Sequence, residues 1–155
     1  MGDRTSGVDM IYRFGNKEPS ISKSAFIAET ASIIGDVSIG DGSSVWFNSV
    51  IRGDRARISI GKNCSHGSIV HGKEIKNNAL MGMNATILHG AQIGEYAIVG
   101  AGSLVPPNKK ILANSVVMGV PCKEVRKTNG EDIEIIESTL RNYRKLTEEY
   151  LKMKG

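Results

Sequence analysis

The sequence has few cysteines and no long apolar run. Its two cysteines, Cys64 and Cys122, lie far apart, so they indicate neither a disulfide framework nor a metal knuckle of closely paired thiols. No stretch of about 18 apolar residues could span a bilayer, and no N-terminal apolar run resembles a signal peptide. We therefore expect a cytoplasmic protein without a membrane partner.

Aromatic residues are also scarce, at 5% of the chain, and the basic residues are scattered despite a net charge of +4. Nucleic-acid binding requires a basic cluster with stacking aromatics or a known motif, and the sequence has neither. We therefore expect no nucleic-acid partner.

A six-residue period in the aliphatic residues dominates the sequence. The anchors of this period are Ile27, Ile33, Ile39, Val45 and Ile51, and then Ile69, Ile75, Met81, Ile87, Ile93, Val99, Val105, Ile111 and Val117. This spacing matches neither a helix nor an alternating strand, and it is typical of short strands joined by tight corners. Three such segments form one triangular coil of about eighteen residues, and stacked coils pair as parallel strands about 4.8 Å apart. The period predicts an all-β fold, a parallel β-helix of hexapeptide repeats.

The period breaks once, where Arg57 and Asn63 occupy anchor positions. The aliphatic residues move to Ile58 and Ile60, and both the step from Ile51 to Ile60 and the step from Ile60 to Ile69 span nine residues. We predict two short loops here, each adding three residues to a corner. Solenoids often carry functional residues on such insertions.

The repeats fade after about residue 120 and give way to a helical pattern. Its apolar residues, spaced by three and four, are Ile133, Ile136, Leu140, Tyr143, Leu146 and Tyr150. They predict an amphipathic α-helix over residues 131–154 that packs on the flank of the β-helix. The predicted organisation is an N-terminal segment (1–20), a β-helix (21–122) and a C-terminal helical segment (123–155).

The three histidines of the chain, His66, His71 and His89, are candidate metal ligands. Three imidazoles would leave a fourth zinc position for a water molecule, whose pKa the metal lowers to about 7. His71 and His89 are 18 residues apart, so we expect them to stack one coil apart on the same face. His66 lies at the neighbouring corner and could contribute only from another subunit. A solvated surface ladder, with His89 unrelated to a metal, is the alternative.

Four segments resemble the γ-class carbonic anhydrase family. They are SVWFNSVIRGD at 44–54, GAQIG at 90–94, VGAGSLVP at 99–106 and MGVPC at 118–122. The resemblance covers nearly the whole chain, and it implies a left-handed β-helix, a homotrimer, and reversible hydration of CO2 at a zinc site between subunits.

The resemblance also suggests site residues. The segment HGSIVHG at 66–72 matches the pair of zinc histidines in the family, which implies His66 and His71 as ligands and leaves His89 as the third candidate. Arg52 and Asp54 match the Arg and Asp of the family, which are expected to pair across the subunit interface. They are the candidate catalytic residues, and the favoured alternative is an ion pair that holds the subunits together with only an indirect role in catalysis. The implied cofactor is Zn²⁺, with Fe²⁺ or Co²⁺ as alternatives, and the partners are further copies of the chain and a small-molecule substrate.

One segment of the family is missing between Arg52-Gly53-Asp54 and the histidine pair. The family has about twenty more residues there, roughly one coil, which include its first zinc histidine and a Gln that positions the zinc-bound water. Three functions therefore stay open: a carbonic anhydrase with impaired activity, a hexapeptide acyltransferase that uses a histidine as general base with an acyl-CoA donor, or an inactive trimeric scaffold. Cys64 has two possible roles, a thiolate metal ligand or a small buried apolar residue.

Overall fold

Very short strands joined by tight turns wind through most of the chain. The computed structural model describes residues 10–153, which form a parallel β-solenoid of about six turns followed by one helix. Residues 1–9 of the predicted N-terminal segment lie outside this range.

In chain order, the elements are β1 (Ile11–Tyr12), β2 (Ser20–Ile21), β3 (Phe26–Ile27), β4 (Ser32–Ile39), β5 (Ser44–Val45), β6 (Val50–Ile60), β7 (Ser65–His66), β8 (Ile69–Val70), β9 (Glu74–Ile75), β10 (Leu80–Met81), β11 (Thr86–Ile87), β12 (Gln92–Ile93), β13 (Ile98–Val99), β14 (Leu104–Val105), β15 (Lys110–Ile111), β16 (Ser115–Gly119), β17 (Cys122–Lys127) and α1 (Gly130–Met153).

The strands stack in parallel register on three faces, and the register partners of each face form a column along the solenoid. Face A is the column Ile33, Ile51, Val70, Ile87 and Val105. Face B is the column Ile21, Ile39, Ile60, Ile75, Ile93 and Ile111. Face C is the column Ile27, Val45, His66, Met81, Val99 and Val117. The six-residue period is confirmed, because most of its anchors are buried in one continuous core.

Asparagines in the left-handed region of φ make many of the corners. Asn48, Asn63, Asn78 and Asn84 have φ between 54° and 64°. Asn tolerates this region better than most residues because its short polar side chain bonds locally. These corners let the chain turn through a triangular coil without a long loop.

The first predicted insertion is confirmed. β6 is continuous for 11 residues, and its register with β4 shifts so that Gly35 faces Gly53 while Val37 faces Ile58. The extra residues form an exposed bulge at the corner between faces A and B, directly after Asp54.

The second predicted insertion is wrong, and so is the inward position of Ile69. Val70 pairs with Ile51 and is fully buried, whereas Ile69 points outward and is 44% exposed. The nine residues that follow Ile60 contain two corners rather than one, because His66 takes the register position on face C between Val45 and Met81. This coil is therefore shorter than the others, and the preceding coil, which holds the bulge, is longer.

The C-terminal helix is confirmed and lies on face C. Tyr143 packs on Trp46 with ring centroids 4.6 Å apart, and Tyr150 stacks on Phe26 at 6.2 Å. Aromatic pairs at these separations stabilise packing beyond the area they bury. α1 is not apolar enough to cross a membrane, and the described part of the chain has no other helix long enough for that.

A capping box fixes the start of α1. The Asn129 side chain accepts a hydrogen bond from the Asp132 backbone N–H at 3.0 Å, and the Asp132 carboxylate accepts one from the Asn129 backbone N–H at 2.8 Å. Arg126 donates a further bond to Asp132 at 2.8 Å. The arrangement anchors the helix to β17, which runs antiparallel to β16.

Parallel pairing extends beyond the predicted β-helix boundary at its N-terminal end. β1 already pairs in parallel with β4, with Ile11 opposite Ile33. At the other end, β17 continues the sheet of face C past residue 122.

Candidate metal centre

The corner that follows face A brings together three of the predicted site residues. Arg52 comes directly after the anchor Ile51, and His71 comes directly after Val70, the register partner of Ile51. Asp54 lies two residues beyond Arg52 on β6, at the start of the bulge. The parallel register of Ile51 with Val70 thus places a cation, a carboxylate and an imidazole on adjacent coils.

Arg52 and Asp54 form an ion pair within one chain. Nε and Nη2 of Arg52 donate to Oδ2 of Asp54 at 3.2 and 2.8 Å. This hydrogen bond lowers the pKa of Asp54 below its ordinary value, so the carboxylate is charged at neutral pH. The pairing across subunits that the resemblance implies remains a prediction.

His71 is half-buried, and its surroundings favour the neutral imidazole. Desolvation lowers the pKa of His71, the positive charges of Arg52 and His89 lower it further, and the charge of Asp54 opposes them. Because a metal binds neutral imidazole, this environment suits a ligand. The backbone N–H of His71 donates to the Ile87 carbonyl at 2.8 Å, which holds the residue in the coil.

His89 lies on the next coil, but not in register with His71. Val70 pairs with Ile87, so one turn here spans 17 residues rather than 18, and the spacing argument for stacking His71 on His89 fails. His89 is exposed, and it influences His71 only through its charge.

His66 lies on a different edge. Its strand β7 belongs to face C, where His66 pairs in register with Val45 and Met81. Within one chain the fold therefore groups Arg52, Asp54 and His71, with His89 nearby, and leaves His66 on face C, at the corner that precedes face A.

Cys64 does not belong to this group. It is fully buried, its thiol donates to the Lys76 carbonyl at 3.1 Å, and burial raises its pKa to about 11. The interpretation of Cys64 as a small buried residue fits these contacts, because a thiolate ligand needs a lowered pKa.

The chain is 46% identical over 152 residues to a Methanocaldococcus jannaschii protein named "Probable carbonic anhydrase", covering 83% of this chain and 96% of that one. It is 41% identical over 158 residues to a carbonic anhydrase of Geobacillus kaustophilus, covering 86% and 87%. A further relative is γ carbonic anhydrase 2, mitochondrial, of Arabidopsis thaliana, at 34% identity over 158 residues and 83% of this chain.

The chain belongs to the γ-carbonic anhydrase family. It spans 57% of the length of that Arabidopsis relative. The family model of the bacterial transferase hexapeptide (six repeats) matches residues 72–107. Two solved structures have a TM-score of 0.76: a Bacillus cereus protein provisionally described as an acetyltransferase, 36% identical over 93% of this chain and 98% of that one, and a hexapeptide transferase family protein from Anaplasma phagocytophilum, 27% identical over 92% and 98%.

Among the side chains that the structure describes, which do not include that of His66, no group of three or more His, Cys, Asp or Glu could hold a metal ion. His71 is half-buried and its surroundings favour the neutral imidazole, so it suits a metal ligand.

Sequence reasoning missed an apolar surface beside this corner. The outward residues of face A are Ser32, Val50, Ile69, Thr86 and Leu104, three of them aliphatic, and we define this set as the face A strip. The six-residue period assigned Ile69 to the core and so concealed the strip. The only sequence signal for this surface was the break in the six-residue period between Ile51 and Ile69.

Proposed function

We propose that this γ-carbonic anhydrase family member hydrates CO2 reversibly at a metal site between the subunits of a homotrimer, with impaired activity. The observation that carries the proposal is the grouping of Arg52, Asp54 and His71 on adjacent coils in a chain with 46% identity to a named carbonic anhydrase. The cytoplasmic location expected from the sequence belongs to the same proposal.

The face A strip supports the trimer. Ile69 is 44% exposed, and its neighbours along the strip are Val50 on one side and Thr86 on the other, with Leu104 one coil beyond Thr86. A second copy packed on this strip would bury apolar surface, at about 25 cal/mol per Å² removed from water. It would also bring its own face C edge, which carries His66, towards the corner that holds His71.

Zinc bound by His71 and by a partner's histidine would supply an activated water at neutral pH. The residues of this chain have separate roles. His71 presents a neutral imidazole, and the ion pair of Arg52 with Asp54 keeps a charged carboxylate fixed beside it. A fixed carboxylate can hold an approaching water in a constant orientation, which contributes to catalysis through positioning.

The expectation of impaired activity rests on the coil that the resemblance implies and that this sequence does not contain. The alignment with the Methanocaldococcus relative extends over 152 positions although it covers only 83% of this 155-residue chain, as expected if the relative has a segment that this chain lacks. Loss of a metal ligand and of a water-positioning group should lower the activity by more than the roughly 10–100-fold that follows substitution of a residue hydrogen-bonded to a ligand.

Metal analysis combined with stopped-flow CO2 hydration tests the proposal. We expect stoichiometric zinc in the purified wild-type protein and little in His71→Ala, with measurable but weak hydration in the wild type. His89→Ala is the matched control, and it should lose zinc only if His89 serves as a ligand. Equal zinc in the wild type and in His71→Ala would contradict the site, and zinc binding without hydration would indicate an inactive trimeric scaffold.

Acyl transfer is the second candidate, because the chain is 36% identical to the Bacillus cereus protein described as an acetyltransferase. His89 is exposed and could act as a general base for an acceptor hydroxyl or amine. Release of free thiol from acetyl-CoA in the presence of mixed acceptors, abolished in His89→Ala, would favour this function over CO2 hydration.

A further inference from the structure

One corner of the solenoid is shorter than the equivalent corners above and below it. The step from face C to face A takes six residues in the neighbouring coils, from Val45 to Ile51 and from Met81 to Ile87. In the coil between them it takes four, from His66 to Val70. Only Gly67 and Ser68 lie in this corner.

The two missing residues are those that would form the outer turn. In the neighbouring coils the outer turns are Phe47–Asn48 and Met83–Asn84, each with its Asn at positive φ. The Asn84 backbone N–H bonds directly to the Gly67 carbonyl at 2.9 Å. The edge of the solenoid is therefore notched, with one turn projecting on each side of Gly67.

Helix α1 borders this notch, and together they form a half-open cavity of about 630 Å³. Gly67, Trp46, Phe47 and Met83 of the solenoid line it, and so do Tyr143 and Leu146 of α1. Sites for small organic ligands commonly measure about 300–1,000 Å³. We call this cavity the corner notch.

The lining of the corner notch is apolar and aromatic, and its polar members are uncharged. Ser65, Asn48, Asn84 and Thr139 supply hydroxyl and amide groups, and no Lys, Arg, Asp or Glu is among the described residues that line it. This is unusual for a chain in which 23% of residues are charged. A charged ligand would lose its hydration here without gaining a counter-charge, whereas a neutral ring would gain aromatic contacts.

The apolar side chains at the mouth of the notch are also left uncovered. Met83 is 72% exposed, Leu146 is 44% exposed and Phe47 is 42% exposed. Phe47 packs edge-on against the ring of Tyr150, with ring centroids 5.3 Å apart, and this contact favours one orientation of its aromatic surface. Preorganised aromatic surface lowers the entropy cost of binding.

We propose that the corner notch is a binding site for an uncharged small molecule that carries an aromatic or alicyclic ring. The ring would lie between the Trp46–Phe47 wall and Met83, with the amides of Asn48 and Asn84 available to a hydroxyl, ester or amide group of the ligand. Within one chain the site is separate from the corner that holds His71, although Ser65 and Gly67 of its lining flank His66. Its lining alone supports ligand binding, without a metal and without CO2 hydration.

The only tryptophan of the chain, Trp46, lines the notch and reports on its occupancy. The probe is N-phenyl-1-naphthylamine, a neutral ring compound that fluoresces in apolar sites. We expect saturable binding of one molecule per chain to the full-length protein, with quenching of Trp46 emission as energy passes to the dye. Binding that does not saturate, or that leaves Trp46 emission unchanged, would overturn the proposal.

Gly67→Leu is the blocking variant. A Cβ at Gly67 would meet nothing closer than 3.7 Å, and the residue does not have positive φ, so the added side chain can extend into the notch without backbone strain. The matched control is Gly130→Ala, at the start of α1, where a Cβ meets nothing within 4 Å. We expect at least a tenfold loss of dye affinity in Gly67→Leu and no loss in Gly130→Ala.

Leu146→Lys gives a second test at an exposed helix position that should not disturb folding, and it should weaken dye binding by placing a charge at the mouth. Unchanged dye binding in both Gly67→Leu and Leu146→Lys would overturn the assignment. A Gly67→Leu protein whose molecular mass falls while dye binding persists would show that a second copy of the chain covers the notch instead, which also overturns it.

Discussion

Val70 lies opposite Ile51 in the parallel ladder with its side chain fully buried, while the adjacent Ile69 is 44% exposed. A shift of one residue along a strand moves a side chain from the core to the surface. The register at this single pair therefore decides which residue stabilises the core and which is free to contact a partner.

Val70→Ala should destabilise the protein by about 2 kcal/mol, because it removes two buried methyl groups and leaves a small cavity. Val105→Ala, at another anchor of face A, should cost a similar amount and serves as the matched variant. Urea unfolding at one fixed protein concentration measures both. If Val70→Ala left the free energy of unfolding nearly unchanged while Val105→Ala lowered it, Ile69 rather than Val70 would be the buried residue.

Ile69→Asp should dissociate the proposed trimer, because it places a charge in the middle of the face A strip. Light scattering should give a mass near three chains for the wild type and near one chain for the variant, with unchanged circular dichroism. Ser38→Asp, an outward position on face B, is the control and should leave the mass unchanged. A wild-type protein that is monomeric at micromolar concentration would exclude the intersubunit metal site.

The charges around His71 predict opposite effects of two substitutions on its pKa in the metal-free protein. Asp54→Asn removes a negative charge that favours the imidazolium, so the pKa of His71 should fall further. Arg52→Gln removes a positive charge that opposes the imidazolium, so the pKa should rise towards its ordinary value. NMR titration of the histidine ring protons measures both, and shifts in the same direction would show that these charges do not act on His71.

Asp132 should make the docking of α1 sensitive to acid. Hydrogen bonds from Arg126 and from the Asn129 backbone lower the pKa of Asp132 to about 2. Because the folded-state pKa lies below the unfolded value, the stabilisation is complete above about pH 4 and is lost as the pH falls towards 2. Asp132→Asn should therefore unfold more easily at pH 7 and show a weaker dependence of stability on pH between 4 and 2.

Urea midpoints across this pH range measure the effect. Glu149→Gln is the matched control, because its exposed ion pair with Lys152 contributes at most about 1 kcal/mol. An unchanged pH dependence in Asp132→Asn would mean that other carboxylates govern the acid response.

The sequence predicted the three-faced coil because inward anchors of a narrow solenoid must be aliphatic and evenly spaced, as Ile87, Ile93 and Val99 are. It also located the break in phase and the bulge after Asp54. The short coil could not be predicted, since His66 occupies a position on face C that elsewhere is aliphatic, and a period based on aliphatic residues passes over it. The cavity beside Gly67 was hidden for the same reason, because it results from a corner that the pattern did not reveal.

The metal site was predictable only in part. Arg52, Asp54 and His71 come together because they follow register partners on adjacent coils, and sequence spacing alone reveals such neighbours when each coil has the same length. A coil of 17 residues between Val70 and Ile87 breaks that rule and removes His89 from the stack. The contribution of His66 depends on a second chain, which no spacing within one chain determines.

The antiparallel strand β17 has a further consequence. A stack of identical parallel coils has no inherent length, and its open end could template the first coil of another molecule. β17 reverses direction against β16 and presents exposed charges at Lys123, Glu124, Arg126 and Lys127. A following coil parallel to β16 would have to pair antiparallel with β17 and pack against those charges, and charged side chains on an edge strand oppose such pairing, so the hairpin disfavours growth into filaments.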